Sequence, residues 1–163
     1  MRLKALAGLI GFAALAACAS APEPRAGPAA HSGGTWRPYK VGGVWYTPKD
    51  DPRYDEQGTA SWYGGKHHGR PTANGERFDK DAVSAAHKTL PIPSVVEVTN
   101  LANGKRLKVR INDRGPFVAG RIIDLSQEAA RRLGFEGQGV TKVRVRAIRG
   151  GRAGLAPTSS QRF

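Results

Sequence analysis

Three stretches of the chain gather side chains able to move a proton or hold a polar ligand. They are Ser61-Trp-Tyr-Gly-Gly-Lys-His-His-Gly-Arg-Pro-Thr-Ala-Asn-Gly-Glu-Arg-Phe78, Ala85-Ala-His-Lys-Thr-Leu-Pro91, and Ile111-Asn-Asp-Arg-Gly-Pro-Phe117 followed by Arg121-Ile-Ile-Asp-Leu-Ser126. Carboxyl and imidazole groups are the usual agents of general acid–base chemistry, and the stretches supply Glu76, Asp113, Asp124 and His87. From residue type alone, Glu76 and His87 can each be functional or structural. Asp124 stands among Ile122, Ile123 and Leu125, so it should be mostly buried and therefore hydrogen-bonded or protonated. Capping the helix start at Ser126 or bonding a loop is its expected role, with a second acid as the alternative. Trp62 reads as a core residue.

Other chemistries are excluded by what the spacing lacks. His67 and His68 are adjacent, and neighbouring side chains rarely converge on one ion; no His-x-His or His-Glu-x-x-His spacing occurs, so no metal site is expected. The single cysteine excludes an internal disulfide framework and a cysteine-based zinc site. No glycine-rich phosphate loop runs from a strand into a helix, and no Gly-x-Ser-x-Gly elbow appears, which removes nucleotide chemistry and serine hydrolysis. No cofactor is implied.

The elements that must position these residues are short. Thr59–Tyr63 is strand-like, and Ser94–Asn100 is β-rich, with Val96 and Val98 alternating with Glu97. Asn103-Gly104 is a hairpin-turn signal. Lys105–Ile111 alternates cleanly, with Leu107, Val109 and Ile111 on one face and Arg106, Lys108 and Arg110 on the other. Arg121–Leu125 and Val140–Ile148 are further strands, the latter with Val143, Val145 and Ala147 facing inward. One helix is well marked, with Ser126 at its N-cap, Glu128 in the first turn, Arg131 and Arg132 in the last and Gly134 just past the end. Upstream, residues 36–48 carry large apolar groups around Gly42-Gly43 and read as a hairpin arm docked on the domain, with sugar stacking by its aromatics as the lesser alternative. Short strands with one helix predict a mainly β fold, a small closed barrel.

The N-terminus reads as an address. Arg2 and Lys4 precede thirteen uncharged small or apolar residues, Ala5 to Ala17, a span too short for a transmembrane helix of roughly 20 residues. Leu15-Ala-Ala-Cys18 resembles the lipobox of bacterial lipoproteins, which implies a signal peptide over 1–17, cleavage before Cys18 and lipidation of its thiol. Acyl chains there would anchor the protein in a membrane. Ala19 rather than Asp after the cysteine resembles signals sorted to the outer membrane, where the protein would face the periplasm. An ordinary signal with a free cysteine is the alternative. Residues 18–35 are Ala, Pro and Gly with little else and read as a flexible linker; 149–163 reads as a disordered tail.

The chain of 163 residues carries 26 Lys+Arg against 13 Asp+Glu, a net charge of +13. Such charge usually suggests nucleic acid, but an exported protein rarely meets it. The anionic polymers facing it are peptidoglycan and lipid head groups, which basic charge attracts loosely without selecting a bond to cut.

The three stretches, in this order and spacing, resemble the double-psi β-barrel of the rare lipoprotein A family, septal lytic transglycosylases, over residues 58–148. The resemblance implies a six-stranded double-psi β-barrel with one short helix, and the arm read above from its own residues occupies 36–57 before it. It also implies cleavage of the MurNAc–GlcNAc β-1,4 bond of peptidoglycan without water, in cell-wall remodelling or daughter-cell separation. The sugar's own C6 hydroxyl attacks the anomeric carbon and leaves a 1,6-anhydro end. One carboxyl then suffices, protonating the leaving oxygen and later accepting the C6 proton, whereas hydrolysing glycosidases need two. Asp113 is the expected acid, placed after a strand at the mouth of a Gly-Pro loop; capping a tight turn is its alternative. Glu76 and His87 carry over by motif, Glu76 as an anion near the acid and His87 as an orienting or sugar-binding group. Tyr63, Asn74, Lys88 and Arg114 are candidate groove residues for sugar hydroxyls and muramyl carboxylates. The family's usual C-terminal SPOR-type glycan-binding domain is not expected, and a monomer is. A non-catalytic, expansin-like glycan-binding module is the alternative function.

Overall fold

The computed structural model describes residues 35–148. The signal segment 1–17, Cys18, the linker up to residue 34 and the tail 149–163 lie outside the described residues.

The arm forms the expected hairpin, β1 (Tyr39–Val41) and β2 (Val44–Tyr46), joined at Gly42-Gly43. Their φ angles of +57° and +83° give the two consecutive left-handed positions that a tight hairpin turn needs. Six strands then close into a barrel: β3 (Asp55–Tyr63), β4 (Ser84–His87), β5 (Ser94–Asn100), β6 (Arg106–Asp113), β7 (Arg121–Ser126) and β8 (Val140–Ala147). Around the barrel the order is β3-β7-β4-β6-β5-β8. The pairs β3/β7 and β4/β6 are parallel, each with one β-bulge, and the others are antiparallel. Closure leaves no free sheet edge.

The inward faces fill the barrel with branched side chains: Val96 and Val98 from β5, Val109 and Ile111 from β6, Ile123 and Leu125 from β7, Val143 and Val145 from β8. Helix α1 (Gln127–Leu133) adds Ala129, Ala130 and Leu133 to the same core. Its caps are those the sequence predicts: Ser126 Oγ accepts from Ala129 N at 3.2 Å, and Gly134 ends the helix at φ +75°.

Three elements differ from the sequence reading. Strand β3 begins at Asp55 rather than Thr59, because Asp55–Gly58 pairs with β8 and Asp55 accepts a two-pronged bond from Arg144 at 2.6 Å. Gly58 suits that pairing, since a Cβ there would sit 2.6 Å from Ile122 Cγ2. The Asn103-Gly104 signal lies within a longer connection, where Asn103 Oδ1 accepts from Lys105 N at 2.9 Å and its Nδ2 donates to Leu133 O at 2.9 Å. Strand β4, absent from the strands predicted above, is buried at all four positions between β6 and β7. Its Ser-Ala-Ala-His sequence lacks the branched and aromatic residues that mark a strand.

The last residue of β4 is locked by its surroundings. His87 Nδ1 accepts from Thr89 N at 3.2 Å and Leu90 N at 3.0 Å, so Nε2 carries the proton and donates to Tyr54 Oη at 2.9 Å. Tyr54 Oη in turn donates to Glu56 Oε2 at 3.0 Å. Burial first, then the Arg114 and Lys88 charges, pushes the His87 imidazole down to about 3.

Two consequences are measurable. An unfolded His87 binds a proton below its ordinary value near 6.5 and the folded one does not, so stability is full above that pH and falls as pH drops. The loss should reach about 2 kcal/mol between pH 8 and pH 5 in denaturant titrations. His87→Gln should lack this slope, and a wild-type stability flat over that range would contradict the neutral buried ring. Ser126 Oγ also accepts from Ser84 N at 3.3 Å, tying helix to β4. Ser126→Ala should therefore lower the urea midpoint, costing about 1–2 kcal/mol with an unchanged m value.

Candidate active site

The connection from β3 to β4 crosses one end of the barrel, and a tight turn within it aims Glu76. Thr72 Oγ1 donates within reach of Asn74 Oδ1 at 2.6 Å and Glu76 O at 2.9 Å, while Glu76 N donates to Asn74 Oδ1 at 3.2 Å. Gly75 takes φ +85° between them. The Glu76 carboxylate then receives both terminal nitrogens of Arg110 at 2.5 Å each and Asn112 Nδ2 at 3.2 Å. Arg110 above all, helped by Asn112, holds the Glu76 carboxyl below the usual carboxylate range. Its charge is thus already matched within the protein.

Asp113 ends β6 beside this pair. Its Oδ1 accepts from Ala73 N, in the crossing loop, at 2.9 Å and from Arg114 N at 2.8 Å. Its Oδ2 has no hydrogen-bond partner among the described residues. One oxygen is gripped by backbone and the other is open, the arrangement an acid–base carboxyl requires.

Tyr63 ends β3 with its ring stacked on Phe78 at 4.3 Å and met edge-on by His67 at 5.6 Å. Its hydroxyl is buried and has no hydrogen-bond partner among the described residues. Burial, with the Asp113 and Asp124 carboxylates nearby, raises the phenol well above its ordinary value, so it stays a donor. Asn112 Oδ1 and Arg110 Nε are likewise without a partner among the described residues. Buried polar atoms without a protein partner are uncommon, and Ser84 Oγ, Ser94 Oγ and Arg121 Nε share that state elsewhere in the barrel.

Asp124 has neither of the roles preferred for it. Its Oδ1 accepts from Ser61 Oγ at 2.6 Å across the β3/β7 pair, and its Oδ2 accepts from Arg121 Nη2 at 3.2 Å within its own strand. The helix start is capped by Ser126 itself, so Asp124 is a strand-to-strand tie. With both oxygens engaged, it offers no free one.

The remaining expected residues form a second group toward the arm. The Arg114 guanidinium donates to His87 O at 3.2 Å, to Leu90 O at 2.6 Å and to Thr35 O, and lies 5.7 Å over the Tyr39 ring. It staples the arm to the end of β4 and is engaged by backbone rather than left open to a groove. His87 supplies its carbonyl to that staple while its ring is held by Tyr54, Thr89 and Leu90. Lys88 Nζ donates to Arg121 O at 2.8 Å. Asp113, Glu76, Asn74 and Tyr63 are therefore one cluster, and His87, Lys88 and Arg114 brace it from the arm side.

Two members of the cluster were not anticipated. Arg110 was placed with Arg106 and Lys108 on the solvent face of β6, and simple alternation has no way to distinguish it. Asn112 is buried beside buried Ile111, but as a polar residue after an apolar one it continues the strand's alternation, so the sequence carried no signal for its burial. Among the described residues no three His, Cys, Asp or Glu side chains converge in a way that could hold a metal ion.

The family described as "Lytic transglycolase" matches residues 55–145. A relative from Neisseria meningitidis, "Endolytic peptidoglycan transglycosylase RlpA", is 57% identical over 113 residues, covering 69% of this chain and 47% of its own length. The protein of the same name from Pseudomonas aeruginosa is 54% identical over 127 residues, 77% of this chain and 37% of the relative. A solved structure titled "Streptomyces papain inhibitor (SPI)" has a TM-score of 0.49 at 24% identity, covering 61% of this chain and 99% of that one. The chain spans less than half the length of both curated relatives. With more than half of its residues matched, and with the motifs of rare lipoprotein A on a closed double-psi barrel, this chain belongs to the lytic transglycolase family.

Proposed function

We propose that the protein is a peptidoglycan lytic transglycosylase that cleaves the MurNAc–GlcNAc β-1,4 bond by intramolecular attack, with Asp113 as its single acid and base. The observation that carries this reading is the state of the carboxyl groups at this end of the barrel. Glu76 is forked by Arg110 and bonded by Asn112, Asp124 is bonded through both oxygens, and of these three only Asp113 keeps an oxygen without a partner among the described residues. Hydrolysis would need a second free carboxyl to activate water or attack the sugar. A one-carboxyl site fits the reaction whose nucleophile belongs to the substrate.

In that reaction protonated Asp113 gives its proton to the O4 of GlcNAc as the C1–O4 bond breaks. The C6 hydroxyl oxygen of MurNAc bonds to C1, and its proton passes to the Asp113 carboxylate. Acid is regenerated and no water is consumed. Ala73 N–H and Arg114 N–H hold Oδ1 so that Oδ2 meets both oxygens in turn. Glu76 fixes the loop that delivers Ala73, and Asn74 Nδ2 offers a donor to sugar hydroxyls, while the buried Tyr63 ring packs behind the site. His87 acts as a positioning residue, through the carbonyl that holds Arg114. The relatives' names, which speak of endolytic peptidoglycan transglycosylase, support the substrate and the reaction class. The resemblance of Leu15–Cys18 to a lipobox supports an outer-membrane lipoprotein tethered through Cys18 and facing the periplasm, with glycan strands as its partner and a monomer as the working form.

Peptide-free glycan strands incubated with the protein should yield 1,6-anhydro-ended fragments by mass spectrometry. Asp113→Asn should slow their release about 10²–10⁴-fold, the usual worth of a general acid–base group. Asp124→Asn, if it folds, should stay within several-fold of wild type. Reducing-end products, or Asp113→Asn cleaving at the wild-type rate, would overturn the proposal. Binding without any cleavage would leave a glycan-binding module instead.

A further inference from the structure

The loop that leaves Asp113 exposes apolar surface where none is needed for folding. Phe117 is 43% exposed and Val118 52%. Phe117 is nevertheless held in place. Its ring lies 5.4 Å from Tyr46 and 6.2 Å from Tyr39, which stack on each other at 5.3 Å, and a Cβ on Gly115 would meet Phe117 Cε2 at 3.8 Å. Barrel loop and arm hairpin thus build one aromatic cluster, in which Phe117 meets the stacked Tyr39–Tyr46 pair edge-on and tilted, at interplanar angles of 75° and 58°, and remains part exposed beside Gly115, the residue that is second after the acid.

A cation completes the place. Tyr39 Oη donates to Lys88 O at 2.7 Å, and Lys88 Nζ donates to Arg121 O at 2.8 Å, where the same loop rejoins β7. The ammonium has three protons, and this carbonyl is its one partner among the described residues. An exposed aromatic ring within this loop and an ammonium bonded where the loop ends suit an anionic sugar, whose C–H face can lie on the aromatic while its carboxylate reaches the ammonium.

We infer that Phe117, seated on Tyr46 and Tyr39, together with Lys88 forms a subsite for a MurNAc residue beside Asp113, Phe117 taking the sugar ring and Lys88 its lactyl carboxylate. This rests on the glycan reading above. In a peptide-free strand the lactyl carboxylate occurs on every second sugar and is its one anionic group. Lys88 therefore sets which of the two sugars enters the subsite, and so which bond lies at Asp113. The arm's role is to hold Phe117 at that spot.

The test is a binding titration in the full-length Asp113→Asn protein, which keeps the strand intact, with peptide-free glycan strands and with chitin oligosaccharides of equal length, which lack the lactyl group. Phe117→Ala should weaken both ligands about tenfold, as loss of one aromatic contact would. Phe117→Trp should hold both near the parent value. Phe117→Leu, which keeps apolar packing on Tyr46, should still weaken both, and that separates stacking from release of the arm. Lys88→Met should weaken the glycan strands about fivefold, leave chitin unchanged and flatten the salt dependence of strand binding. Unchanged binding in Phe117→Ala, or equal loss of both ligands in Lys88→Met, would overturn the subsite while strand binding by the parent protein would leave the proposed function standing. A parent protein that binds no strand at all would remove both.

Discussion

The fork between Glu76 and Arg110 is the contact on which the arrangement of the site depends. Arg110 stands in β6, paired on one side with Ser84 of β4 and on the other with Val95 of β5, so the closed barrel fixes its backbone. Glu76 stands in a turn of the long β3–β4 connection, two residues before Phe78, whose buried ring stacks on Tyr63. Two charge-assisted bonds in a planar geometry set both the position and the orientation of that turn. A lysine could supply the charge but not the plane. Three residues before Glu76 the turn presents Ala73 N–H to Asp113, so the orientation of the acid is inherited from an ion pair it does not join.

From this follows a division of labour among groups that look interchangeable in the sequence. Three carboxyls gather at one end of the barrel, and environment assigns them different roles. Glu76 is committed to Arg110, Asp124 ties β3 to β7, and Asp113 is left with one oxygen for chemistry. The same holds for the basic groups. Arg110 orders a loop, Arg114 staples the arm through three backbone carbonyls, and Lys88 keeps free protons. His87 is buried and neutral, so it can organise the β4 end without adding a charge near the acid.

Much of the fold was legible because period-2 alternation survives wherever one face of a strand meets water. Strands β5, β6 and β8 alternate Val, Leu or Ile with Lys, Arg or Glu, and α1 carries its caps at both ends. Strand β4 was illegible for the converse reason. It is buried on every side between two partners, and the crowding there admits Ser84, Ala85 and Ala86, whose small side chains advertise no strand. The four extra residues of β3 are polar and owe their place to cross-strand partners in β8, which no local pattern reports. At the site, Asp113 could be picked out by its position after a strand and before Gly115-Pro116, and Glu76 by its motif. Arg110 could not, since its partner lies 34 residues away and its neighbours Arg106 and Lys108 look the same. Arg114 was read as a groove residue because a side chain's direction is decided by carbonyls of β4 and of the arm.

The source of the oxygen at the new sugar terminus decides between intramolecular attack and hydrolysis. The direct measurement is cleavage of peptide-free glycan strands in water enriched with ¹⁸O, with the fragments weighed at once. An open Asp113 with no second free carboxyl predicts anhydro ends that carry no label, because the oxygen on C1 is the sugar's own O6. One ¹⁸O atom at each new terminus would mean that water was the nucleophile, and a site with a single free carboxyl would then be the wrong description.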